Sequence, residues 1–340
     1  MFVLLLLLVY PYRVANEQYR RVLMWVLFGL FTLFFGLRGN VGDDYSHYLA
    51  IYEHPEIHFL TMPAFALAIA LFKALHIPFH GFLFACSLVI NGLLFRFLVR
   101  RKFNLPFALS LFLGFSGVVN EIDFVRNSIS ILLFANSWEY LSRREVRKYL
   151  VVNIVGALFH YSALLYLPFY FFVRRELPRR VFLGIVLAGI VLFILRPPFL
   201  DLIPCLLASD NDTTSHLYTY INTYTREMGF TIASVERLLT AAVVFCLYER
   251  LNEVELGRYA MVAFLMYFVC YSLFSNYAVL GTRLANLFVP CYWMLWPALF
   301  LCMEARSAKA AAALFMSSYM VIRLVSLNSM PQWHYNTLWS

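Results

Sequence analysis

Val22-Leu-Met-Trp-Val-Leu-Phe-Gly-Leu-Phe-Thr-Leu-Phe-Phe-Gly-Leu37, followed at once by Arg38-Gly-Asn-Val-Gly-Asp-Asp-Tyr-Ser-His-Tyr48, decides how the rest of the chain is read. An uncharged run of that length makes a membrane segment once its flanking groups reach the interface. Directly behind it stand an arginine, two acids and a histidine. Ionisable groups at the rim of a span are costly unless they face water or a partner, so they mark a candidate functional site.

Apolar runs of this kind recur from end to end. Of 340 residues, 62% are hydrophobic and only 14% charged. A helical span needs about 20 mostly apolar residues, fewer where flanking side chains snorkel. Candidates fall at 1–12, 22–37, 59–76, 80–98, 105–119, 122–141, 149–173, 181–196, 234–250, 259–276, 283–303 and 309–326. A transmembrane barrel would instead alternate over segments of roughly ten residues. The expected fold is all-α, a polytopic transmembrane helical bundle of about 11–13 membrane segments. It forms a single integral membrane domain over 1–340, with outer loops at 38–58 and 197–233.

The net charge of +8 does not point to nucleic acid, because the basic residues lie scattered in short loops between spans and read as topology signals. Clusters at Arg13/Arg20/Arg21, Arg96/Arg100/Arg101/Lys102, Arg143/Arg144/Arg147/Lys148, Arg174/Arg175/Arg179/Arg180, Arg250/Arg258 and Arg306/Lys309 hold 19 of the 27 basic residues. Placing all six clusters in the cytoplasm demands an even number of crossings between them. Residues 149–173 are too few for two full spans, so they are expected to form a short hairpin or re-entrant pair with His160 near its tip. Residues 22–98 hold three apolar runs where parity asks for two, so either 59–76 or 80–98 is expected to be re-entrant or interfacial.

This topology sends 38–58, 120–123, 197–233, 277–282 and the tail from about 327 to the outer face. Arg38, Arg126, Arg196, Arg226, Arg237, Arg283 and Arg323 lie at or near outer span ends, unaccompanied by lysine unless Lys73 joins them. A guanidinium offers a planar fork to phosphate oxygens, whereas lysine is a point charge. Arginines set against the positive-inside trend suggest an anionic group at the outer surface, such as a lipid-linked phosphate or pyrophosphate. The competing reading pairs each of them with a nearby acid.

Cys86, Cys205, Cys246, Cys270, Cys291 and Cys302 show no ligand-like spacing, so they read as small apolar fillers, without a disulfide framework or zinc site. The first residues lack a charged leader region and a small-residue cleavage site, and 1–12 is expected to be a first span. The loop 197–233 holds Asp201, Asp210, Asp212, His216, Tyr218, Tyr220, Tyr224 and Arg226. Its rings suit sugar stacking and equally an interfacial aromatic belt. Asn211-Asp-Thr213 would matter only in a eukaryotic secretory setting.

Four patterns, in order, carry a resemblance. Arg38, Gly42, Asp44, Tyr45 and Tyr48 form the first, with Asp43 where threonine is more usual. Arg126-Asn127 opens a span where Arg-Gln is more usual. Leu158-Phe-His-Tyr-Ser-Ala-Leu164 follows a basic loop, and Gly281-Thr-Arg283-Leu-Ala-Asn-Leu-Phe288 comes last. Together they resemble the EpsG-like branch of the Wzy-type polymerases of O-antigen, capsule and exopolysaccharide. The resemblance implies a glycosyltransferase, in which a GT-C-like architecture is possible. It would join polyprenyl-pyrophosphate-linked oligosaccharide repeat units at the outer face of a bacterial inner membrane, its site facing the periplasm or cell exterior. Its partners would be those lipid-linked saccharides, the bilayer, and optionally a chain-length regulator and a flippase. No cofactor is implied.

The residues suit that chemistry. Negative charge grows on a departing pyrophosphate, and preorganised guanidinium groups stabilise it. The acceptor hydroxyl loses its proton to a carboxylate or neutral imidazole within reach. The assignments are Arg126 and Arg283 with Arg38 on the pyrophosphate, Asp44 or His160 as base, and Tyr45 and Tyr48 shaping the sugar pocket. Asp43, Tyr224 and Arg226 are further substrate contacts. Each has a plainer role in competition: Asp44 as a helix cap or partner of Arg38, His160 as a hydrogen-bonded structural histidine, Arg126 as an ion pair with Asp123 three residues before it. Asp43 and Asp44 alone do not establish a metal site.

Other activities fit less well. Gly114-Phe-Ser-Gly117 matches the GxSG of intramembrane serine proteases, but His160 lacks the small-residue face that should follow it, and small residues are common packing elements in spans. A transporter or flippase of the same lipid-linked saccharide would be expected to show internal repeats and midplane polar groups, which are absent. A ligase or acyltransferase using the same carrier would also need arginines and a base, and ligation differs from polymerisation only in the acceptor.

Overall fold

The computed structural model describes residues 1–101, 103–174, 176–196 and 227–339. Among these the protein is helical and no strand forms; one isolated antiparallel bridge pairs Arg38 with Thr337. The chain divides into two compact units, Met1–Arg174 with Tyr292–Ser340, and Arg175–Cys291.

In the first unit, Glu17–Gly36 starts where the Asn16 side chain accepts from the Tyr19 amide at 2.8 Å, with Glu17 in the first turn against the helix dipole. Its 20 residues reach about 30 Å, and its inner face meets Phe79–Arg100 through edge-on contacts of Phe28 and Phe31 with Phe95. Leu105–Phe112 is capped by Asn104 and runs into a wide turn at Leu113–Gly117, then Val118–Ile122. Gly114 lies where Met320 packs and Gly117 against the Phe112 carbonyl, so the glycines of the GxSG match mark a bend and a close contact. Phe115 leaves helical geometry there and stacks on Tyr292 at 4.1 Å.

Val125–Ser142 packs on Val146–Phe159 through small polar notches: Ser130 Oγ donates to the Gly156 carbonyl at 2.7 Å and Asn153 Nδ2 to Ser137 Oγ at 3.1 Å. The chain then breaks at His160, forms a short 3-10 helix at Tyr161–Tyr166 and returns through Phe169–Arg174. Tyr149 near the start of this segment donates to the Tyr166 carbonyl at 2.5 Å, and Phe134 stacks on Tyr166 at 3.9 Å. Residues 149–173 therefore double back as a short hairpin with His160 at the turn.

The ambiguity between 59–76 and 80–98 resolves on length. Pro63–Ala74 has 12 residues, only about 18 Å, whereas Phe79–Arg100 has 22. The first of the two is the segment too short to cross. Pro63 opens it, and Lys73 in its last turn donates to the Glu53 carbonyl at 2.7 Å. Pro290–Cys302 carries the chain back into this unit and buries Trp293 and Trp296, and Arg306–Asn328 follows.

The second unit contains Arg179–Leu195, Ile232–Cys246, Gly257–Leu273 and Ala278–Asn286. A capping box of Thr231 and Ser234 starts the second of these.

Among the described residues four helices are long and apolar enough to cross a membrane: Glu17–Gly36, Phe79–Arg100, Leu105–Ile122 and Arg306–Asn328. Ala278–Asn286 with Pro290–Cys302 makes a fifth if taken as one broken span. The other apolar runs expected from the sequence form shorter helices, except that Val125–Ser142 matches Leu105–Ile122 at 18 residues and is only more polar. Large apolar side chains stand outward on these helices, Trp25 and Leu314 among them, as a lipid-facing surface requires.

Candidate functional site

The loop 37–44 is fixed from both sides. Arg38 is buried, with Nη1 donating to the Phe35 carbonyl at 2.5 Å and to Ser87 Oγ at 3.4 Å, and Nη2 to the Ile122 carbonyl at 3.4 Å. Glu121 lies within electrostatic reach of it, wholly buried and without a hydrogen bond on either carboxylate oxygen among the described residues. Gly42 takes φ +95° and lies against the Asp123 carboxylate and Ile122, an approach that any Cβ would block. From the opposite side, residues 331–338 supply a second wall. Gly42 N donates to the Gln332 carbonyl at 2.8 Å, Gly39 N to that of Asn336 at 3.0 Å, and Asn336 Nδ2 to that of Asn40 at 3.2 Å.

The acids then part company. Asp43 is exposed and Asp44 half-buried at the start of Tyr45–Glu53, where its side chain makes no cap. No hydrogen bond or ion pair engages the Asp44 carboxylate among the described residues, and Arg38 is occupied elsewhere. The Asp44 amide donates to Asp123 Oδ1 at 3.2 Å. Burial pushes the Asp123 carboxyl up to about 6; the Asp44 and Asp43 carboxylates add to the rise, and amide donors from both residues oppose it. Asp123 lies in the connection between Val118–Ile122 and Val125–Ser142.

Tyr48 and Arg126 meet above this connection. The Tyr48 hydroxyl donates to the Asp123 carbonyl at 2.8 Å, and burial raises its pKa while Arg126 lowers it. The Arg126 guanidinium lies 5.3 Å from the Tyr48 ring centre and 6.0 Å from that of Phe65, and its Nη1 donates to the Met62 sulfur at 2.9 Å. Its Nε is buried without a hydrogen-bond partner among the described residues. The ion pair with Asp123 that the spacing allows does not form among the described residues. Arg126 instead occupies the second position of Val125–Ser142, at the positive end of the helix dipole, with no acid in that first turn.

His160 joins the same helix end. Its Nδ1 lies 2.7 Å from Ser162 Oγ, which is 3.2 Å from Oδ1 of Asn127, the neighbour of Arg126. With the hydroxyl hydrogen on Asn127, Ser162 Oγ accepts from Nδ1–H and the neutral ring keeps its lone pair on Nε2, the form a base needs. In the other tautomer Nδ1 accepts from the Ser162 amide at 3.3 Å. Tyr45 stands on the far side of the loop, its hydroxyl 3.4 Å from His80 Nε2.

One unit thus brings together Arg38, Asp43, Asp44, Tyr45, Tyr48, Arg126 and His160. The sequence reading passes over Met62, His80, Glu121, Asp123, Asn127 and Ser162 as parts of this arrangement. The last two stand inside quoted motifs, so their position beside Arg126 and His160 is the signal that was available. The tail 331–338 carries no pattern that announces its role. Among the described residues no three His, Cys, Asp or Glu side chains converge as metal ligands.

The second unit holds its own arginines. Arg237 is buried, lies 3.8 Å from the Tyr271 ring centre and donates to the Tyr267 hydroxyl at 2.8 Å. With Arg196, Ser234 and Tyr271 it lines a cavity of about 350 Å³. Arg196 pairs with Glu227, as the ion-pair reading has it. Arg283 is exposed in the last turn of Ala278–Asn286. Tyr224 and Arg226, with Asp201, Asp210, Asp212, His216, Tyr218 and Tyr220, lie outside the described residues.

The model of the EpsG family matches residues 21–337. No curated protein and no solved structure matches the chain.

Proposed function

We propose, from the premise that this chain belongs to the EpsG family and so to polysaccharide biosynthesis, that it is a membrane glycosyltransferase of polymerase type. Its substrates are polyprenyl-pyrophosphate-linked oligosaccharides, joined at the outer face of a bacterial inner membrane. The observation that carries this reading is the state of Arg126: held over Tyr48, at a helix N-terminus, with no carboxylate among the described residues neutralising it. A buried-edge guanidinium left unpaired by protein acids is poised for a ligand anion.

In this reading the acceptor hydroxyl attacks the anomeric carbon of the donor chain, the bond to the pyrophosphate oxygen breaks, and the electron pair leaves with the carrier. Arg126 and the amides of the first turn of its helix receive that charge. The acceptor proton goes to Asp44, whose carboxylate is uncommitted, or to His160 in the Nε2-basic tautomer. Arg38 positions the loop through its carbonyl contacts. Tyr45 and Tyr48 border the sugar. Arg283, a resemblance-derived assignment in the second unit, is tested in the same assay.

Purified protein in nanodiscs, supplied with lipid-pyrophosphate-linked repeat units, should produce a ladder of lengthening chains. Arg126→Ala should slow it by about 100-fold or more, the usual cost of losing one charge-stabilising donor, while Asp123→Asn should not. Saturable substrate binding by the wild type without any ladder would sink the polymerase reading.

A further inference from the structure

A groove of about 1050 Å³ lies in the first unit at the opposite end of the helices from Arg38 and Arg126. All four span-length helices reach it: Glu17–Gly36, Leu105–Ile122 and Arg306–Asn328 begin there and Phe79–Arg100 ends there. It therefore lies at one membrane surface. Arg13, Arg20, Arg21, Arg101 and Lys309 line it against a single acid, Glu17. By the positive-inside rule that surface is the cytoplasmic one.

Three of these charges are engaged locally, Arg101 lying 5.6 Å from the Phe97 ring centre. Arg20 donates to the carbonyls of Tyr12 and Arg13, and Arg21 makes an exposed pair with Glu17 at 3.6 Å, a contact of small worth in water. Arg13 and Lys309 form no ion pair among the described residues. The floor beneath them is apolar and includes Met24, Phe107, Phe300 and Leu301, with Phe107 set edge-on to Phe300 at 5.2 Å. A positive-inside signal needs only charged loops. A concave apolar floor under a cationic rim is a different object, and its volume sits at the upper end of ordinary ligand sites, about 300–1,000 Å³.

We infer that this groove binds an anionic phospholipid of the cytoplasmic leaflet, its phosphate among Arg13, Arg21 and Lys309 and its chain along Phe107, Phe300 and Leu301. Charge complementarity selects the headgroup, as in other basic pockets between spans on the cytoplasmic side. The groove's position at the ends of four spans admits a chain from the bilayer, and the inference does not depend on which reaction the protein catalyses.

Native mass spectrometry of the full chain, released from detergent with added phosphatidylglycerol or phosphatidylcholine, tests it. Phosphatidylglycerol should be retained and phosphatidylcholine not. Arg13→Gln with Lys309→Gln should lower retention about fivefold per charge removed, and soluble glycerol phosphate should fail to displace the lipid. Ala313→Phe, which keeps every charge and fills the floor, should also reduce retention and serves if the double variant does not fold. Equal retention of the two lipids, or displacement by glycerol phosphate alone, would overturn the inference.

Discussion

At Gly42 the backbone turns left-handed at φ +95° with the Asp123 carboxylate where a Cβ would stand. Gly42→Ala should therefore cost about 1–3 kcal/mol through strain alone, read as a lower thermal midpoint in detergent; an unchanged midpoint would show that the loop yields. Asp123 governs a pH effect. Its carboxyl has a folded pKa of about 6 against an ordinary 3.8, so folding takes up a proton between those values. The stability it contributes is present below about pH 4 and is lost as pH rises through about 6. Asp123→Asn should flatten that decline in midpoints measured from about pH 4 to 7, and a variant that still tracks wild type would assign the titration elsewhere. Arg126→Lys should rescue little of the activity lost in Arg126→Ala, because a point charge does not reproduce a fork stacked on Tyr48.

Among the elements, the wall formed by 331–338 has the clearest consequence. It receives the amides of Gly39 and Gly42 and the carbonyl of Asn40, so chain cut after Met330 should exchange amide hydrogen faster across 38–44 while Val125–Ser142 stays protected. Equal exchange in both would mean that Asp123 and Arg38 hold the loop alone. Nothing in the tail's own residues foretells this, because its bonds are made by backbone groups, one tyrosine and one asparagine, types that are common everywhere. The helices are easier to read. Apolar runs mark them within a few residues, and the length of 149–173 already demands the hairpin at His160. The choice between 59–76 and 80–98 escapes hydropathy because both runs are apolar; what separates them is Pro63, which starts a helix late and leaves it 12 residues. The roles of Asn127 and Ser162 escape for another reason, since a hydrogen bond between residues 35 apart has no local signature.

For the whole molecule, the test is sidedness. In a cysteine-free background, Asp43→Cys and Arg144→Cys should react with a membrane-impermeant maleimide from opposite sides, since Phe79–Arg100, Leu105–Ile122 and Val125–Ser142 lie between them and Pro63–Ala74 is too short to add a crossing. Labelling from one side would return Pro63–Ala74 to the count of spans. The two ends of the sequence also bear on timing. Tyr335 donates to the Phe34 carbonyl and Asn336 to that of Asn40, across separations of 301 and 296 residues. At about 5–20 residues per second on the ribosome, the loop waits some 15–60 s for its second wall. A nascent chain with every preceding helix already inserted still lacks the finished loop, whose last wall arrives only with residues 331–338.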